Sequence, residues 1–179
     1  MARNLQPIGT ESEMSRESIK DLIFENPYRE PQKPGGRDLD VEISLSIMIE
    51  TVSNAQQEWQ IFTELEPDLG SDHVRRSFQK VLHGLVGLYQ INVSTGPLKT
   101  NKVDKESVLS RVTHEGYHMT GLENRLFQLI EHITKVLRQF RILSSDHPEL
   151  QDEKLVQEMT LLVRFMKNER NDLISSWGY

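Results

Sequence analysis

The sequence predicts an all-α protein, an antiparallel four-helix bundle of long heptad-patterned helices behind a flexible N-terminal arm. Three observations predict it. Apolar residues return in alternating steps of three and four over four successive stretches. Turn-forming residues separate those stretches. The first 37 residues lack the pattern and are rich in Ser, Glu, Pro and Gly.

Residues 1–37 read as the arm, because their polar composition leaves little to bury. Pro27, Pro31, Pro34, Gly35 and Gly36 make its last part a linker. One short apolar patch interrupts it: Ile19, Leu22, Ile23 and Phe24 share a face if one or two helical turns form there. Residues 38–179 are expected to form the helical body.

The first helix of the body is marked by Val41, Leu45, Met48, Val52, Ala55, Trp59 and Phe62, a heptad seam. Asp38 or Asp40 can cap its start, and Pro67 and Gly70 end it. Val41, Ile43, Leu45, Ile47 and Ile49 also alternate as in a strand. The polar run Asn54, Gln56, Gln57 and Glu58 favours the helix.

Ser71 is the expected cap of the second helix, whose seam is Val74, Phe78, Val81, Leu85 and Leu88, widened by Leu82, Val86 and Tyr89. Gly84 and Gly87 each cost about 1 kcal/mol relative to Ala within a helix. Close approach of a neighbouring helix would offset that cost. Residues 94–102 contain Thr95-Gly96-Pro97 and read as a loop.

The third helix follows the heptad through Met119, Leu122, Leu126, Leu129, Ile133, Val136, Phe140 and Leu143. Ile130 and Leu137 add apolar e positions, which widen the stripe beyond a two-stranded zipper and require more than one partner helix. Asp104 can cap this helix or a shorter one that leads into it. Ser144 to Pro148 breaks the chain, and Pro148 suits the first turn of the last helix. Leu155, Met159, Leu162, Met166 and Leu173 form its seam, interrupted by Glu169, with Leu161 and Phe165 on another face.

Several function classes are excluded or unsupported. The chain has no cysteine, so disulfide frameworks, thiol catalysis and Cys-ligated metal sites are excluded. The net charge of −6 gives no global attraction to nucleic acid. No run reaches the ~20 apolar residues of a membrane span, and the N-terminus lacks the apolar core of a secretory signal. Walker, dinucleotide-binding and GxSxG patterns do not occur. An intracellular protein, cytoplasmic or nuclear, is the expectation.

One stretch carries a chemical pattern. His114-Glu115-Gly116-Tyr117-His118 fits HExxH, in which two histidines on one helix face hold zinc and the glutamate serves as general base. With Gly121 the stretch resembles the HExxHxxGxxH motif of metzincin metallopeptidases. At the third ligand position the chain carries Asn124, a poor zinc ligand. The resemblance implies zinc-dependent hydrolysis. Against it stand scarce strand signals and the heptad itself, which projects Glu115 onto the apolar seam. Arg75, Arg76 and Lys80, and separately Arg125, Lys135, Arg138 and Arg141, form basic clusters that either contact phosphates or are solvated helix faces.

The expected function is therefore non-catalytic: an adaptor, scaffold or subunit that binds protein partners through helix faces and the arm, without cofactor or metal. The candidate partner-binding residues are Leu22, Ile23 and Phe24 in the arm, and Leu161, Phe165 and Trp177 in the body. A zinc hydrolase and a nucleic-acid-associated helical protein are the alternatives.

Overall fold

The computed structural model describes residues 39–93, 98, 101–113 and 118–177, without the side chains of 113 and 118–120. The described chain is all-helical, with α1 Leu39–Leu65, α2 Asp72–Asn92, α3 Lys105–Thr113, α4 His118–Asp146 and α5 Glu153–Ser176. Among the described residues there is no strand, and no helix is long and apolar enough to cross a membrane. The expected arm, its apolar patch and the Asp38 cap lie outside the described residues.

The heptad positions form the core. All seven seam residues of α1 are buried, as are Val74, Phe78, Val81 and Leu85 of α2, the α4 seam from Leu122 to Leu143, and all five seam residues of α5. Each such side chain contributes roughly 1.5–3 kcal/mol of apolar burial, before the entropy of ordering it is subtracted. Val41–Ile49 is helical. Ile47 and Ile49 are buried as well as the seam, because α1 is covered on more than one side. It packs against α2, α4 and the short α3. That extra cover explains the strand-like alternation.

Helix directions follow from pairs of residues. Glu58 of α1 meets Arg125 of α4, while Ile47 shares a cleft wall with Gln139, so α1 and α4 run antiparallel. His73 of α2 lies against Phe165 of α5, and Lys80 against Glu158, so this pair is antiparallel too. Arg170 of α5 reaches Glu123 near the start of α4, which makes α4 and α5 antiparallel. One end of the molecule thus gathers the start of α1, the end of α2, the end of α4 and the start of α5.

The breaks between helices differ in detail from the sequence expectation. Pro67–Leu69 and Pro148–Leu150 are single 3-10 turns. Pro148 therefore opens this turn and not α5, whose cap is Asp152; its carboxylate accepts the Leu155 N–H at 3.0 Å. Helix α4 extends through Ser144 and Ser145 to Asp146. Ser71 caps α2 as expected, its Oγ accepting the His73 N–H. A Cβ on Gly84 would sit 2.8 Å from Leu155 Cδ1, the close approach expected of it, whereas Gly87 has nothing within 4 Å.

Candidate functional site

Two concave sites stand out, both of mixed polar and apolar lining. The first is built from α1. Glu50, Asn54, Gln57 and Glu58 recur at helical spacing and form a polar flank beside the apolar seam. The extended segment 101–103 runs along this flank. The Val103 N–H donates to Gln57 Oε1 at 2.8 Å, and Gln57 Nε2 donates to the Asn101 carbonyl at 3.1 Å. Asn101 Nδ2 in turn donates to Glu50 Oε2 at 3.0 Å. The carboxamide of Gln57 thus satisfies backbone groups that would otherwise need a strand or water.

Below this segment a cavity of about 520 Å³ opens between α1, α3 and α4. Lys102, Asp104, Arg111, His132 and Lys135 contribute to its lining, and the buried Asn54 Oδ1 has no hydrogen-bond partner among the described residues. Its floor is the Glu58–Arg125 pair. Arg125 Nε and Nη2 donate to the two Glu58 oxygens at 2.8 and 2.7 Å, while Arg111 stands 3.9 Å away. Both carboxylate oxygens are held by a guanidinium fork, the geometry of a structural clamp. Among the described residues no group of three His, Asp or Glu could hold a metal ion.

The second site is a groove of about 800 Å³ between the end of α4 and the start of α5. Arg141, Ser144 and Ser145 form one wall, and Gln157, Thr160, Leu161 and Arg164 the other. Asp152 and Glu153 lie at its mouth, with Asp152 engaged as the α5 cap. Arg141 and Arg164 make no ion pair with any described residue.

The structure places the sequence-derived candidates as follows. Leu161 is half-buried and lines the groove. Phe165 and Trp177 are partly buried against the chain's own core, and Phe165 also stacks on the His73 ring at 5.3 Å. Leu22, Ile23 and Phe24 lie outside the described residues. His114 and Glu115 do too, as does the side chain of His118, and Asn124 is exposed. Gly121 has a packing role. A Cβ there would stand 2.5 Å from the Val112 carbonyl oxygen, so the absence of a side chain lets α4 start against the end of α3.

The basic clusters do not form single faces. Arg75 and Arg76 pair with Asp72, and Lys80 with Glu158. Arg125 turns inward to Glu58, away from Arg138 and Arg141, which are exposed. Sequence reasoning missed the Glu58–Arg125 clamp and the Gln57 latch. The available signal was a Glu directly beside the seam residue Trp59.

No protein-family model matches the chain, and no curated protein or solved structure matches it.

Proposed function

We propose that this chain is a non-catalytic interaction protein, an antiparallel four-helix bundle that holds a protein partner in the groove between α4 and α5. The observation that carries the reading is the position of Leu161. It is a half-buried apolar side chain outside the core cluster, set in a groove between two arginines that make no ion pair with any described residue. An apolar anchor ringed by charge is the usual make-up of a surface that receives another polypeptide. Arginine is suited to the task, since its planar fork both covers apolar surface and binds carboxylates.

The cavity along α1 supports the same reading. Its Glu58 is held by Arg125 and faced by Arg111, and its Glu50 accepts from Asn101 in segment 101–103, as expected of a device that fixes helix register. Cross-linking mass spectrometry on the native chain and on Leu161→Asp tests the proposal. The expected result is a defined partner, or a second copy, cross-linked near Arg141 and Arg164 and lost in Leu161→Asp. Cross-links that avoid α4 and α5, or that survive the substitution unchanged, overturn it.

A further inference from the structure

We infer that the α4–α5 groove is a docking site for the chain's own N-terminal segment, Glu17–Glu25, with Ile19, Leu22, Ile23 and Phe24 covering Leu161 and the acids of the segment meeting Arg141 and Arg164. The inference rests on the reading of this groove as a protein-binding surface.

Composition favours the segment. Residues 17–25 carry three acids, Glu17, Asp21 and Glu25, against Lys20. They also hold a compact apolar patch. The groove offers the half-buried Leu161 and two arginines, Arg141 and Arg164, that make no ion pair with any described residue; of the two acids in the same lining, Asp152 is engaged as the α5 cap and Glu153 stands at the first residue of α5. Opposite charges at the rim set orientation and encounter rate, and the apolar contact supplies the affinity.

Placement makes the encounter intramolecular. Helix α1 begins at Leu39, at the same end of the molecule as the end of α4 and the start of α5. The groove lies between those two termini. The tether, residues 26–38, is 13 residues long and reaches at most about 45 Å when extended. Leu161 is only eight residues into α5 from Glu153, roughly 12 Å along a helix. A tether longer than its span gives an effective concentration in the millimolar range, so even weak contacts hold the segment in place. A partner that uses the groove must displace it.

The absence of cysteine permits a direct test in the full chain. Ser18→Cys is paired either with Gln157→Cys in the groove or with Gln90→Cys. Gln90 is exposed near the end of α2, at the same end of the molecule but away from the groove. Disulfide formation under mild oxidation is followed by electrophoresis. The monomeric 18–157 bridge is expected to form about tenfold faster than 18–90. Adding Arg141→Glu and Arg164→Glu should remove most of that advantage. Equal rates for the two pairs overturn the inference, and so does an 18–157 bridge found only in dimers, which would mean that the segment of a second copy docks there. Either result leaves the partner reading standing if Leu161→Asp still abolishes capture. If Leu161→Asp changes nothing, that reading fails by itself.

Discussion

Glu58 and Arg125 join α1 to α4 through two hydrogen bonds of 2.8 and 2.7 Å, with the glutamate 5% exposed. The pair lies one residue from the seam on each helix, beside Trp59 and Leu126. It therefore locks the register that the apolar contacts alone leave free to slide. A buried charge is stable only while its counter-charge remains.

Removing one partner should cost far more than removing both. Arg125→Ala is expected to destabilise the fold by about 3–5 kcal/mol, because it strands the Glu58 carboxylate. Glu58→Met with Arg125→Met should recover most of that loss. Urea unfolding of the three variants reads the difference directly. Equal stability of Arg125→Ala and wild type would show that Glu58 is solvated in solution.

Three glycines should give three different answers. Gly87→Ala meets nothing within 4 Å and gains helix propensity, so it should stabilise by up to about 1 kcal/mol. Gly84→Ala pushes on Leu155 Cδ1, a side-chain tip that can yield, and should be close to neutral. Gly121→Ala drives a methyl into the Val112 carbonyl, which is backbone and cannot yield, and should destabilise by about 1–3 kcal/mol. Unfolding midpoints in that order support the packing of α3 on α4; a neutral Gly121→Ala would dismiss it.

Glu169 supplies the pH dependence. Partial burial holds its carboxyl above the ordinary value of 4.5; the nearby charge of Asp172 adds to this and His73 opposes it. A raised carboxyl pKa means that the folded state binds the proton more tightly than the unfolded state. The resulting penalty is full above the folded pKa and is relieved as pH falls below the unfolded one. Glu169→Gln should therefore raise the melting temperature at pH 7, and the gain should vanish below about pH 4. Solvent screening keeps the effect under about 1 kcal/mol. A gain that grows on acidification would contradict the assignment.

The Gln57 latch predicts a local effect. Gln57→Ala removes the acceptor for the Val103 N–H and the donor to the Asn101 carbonyl. Amide exchange at Val103 should accelerate at least tenfold, with a stability loss of about 1–2 kcal/mol. Unchanged exchange would mean that the segment is held by other contacts.

The core was legible in the sequence because burial repeats with the helical period. Val41 through Phe62 and Leu122 through Leu143 could be placed by counting threes and fours. The strand-like alternation in Val41–Ile49 arises from the additional cover over α1, a tertiary fact that one helix cannot announce. The clamp and the latch were not legible for the same reason. Glu58 and Arg125 are 67 residues apart, and nothing local tells a glutamate bound for a buried pair from one bound for solvent. Gly121 fitted two descriptions, a place in a zinc-binding pattern and a point of close contact. The structure displays the contact at Val112, and the histidines of the pattern lie outside the residues it describes.

The carboxamide of Gln57 has a wider consequence. One planar group spans the edge of the connection into α3, using an oxygen on one side and a nitrogen on the other. That short helix is held over the Glu58–Arg125 pair by several contacts at once, the Gln57 carboxamide, the Asn101–Glu50 and Lys105–Glu64 bonds and the buried Val108 and Val112, so losing Gln57 alone loosens the edge of the connection and leaves the helix seated.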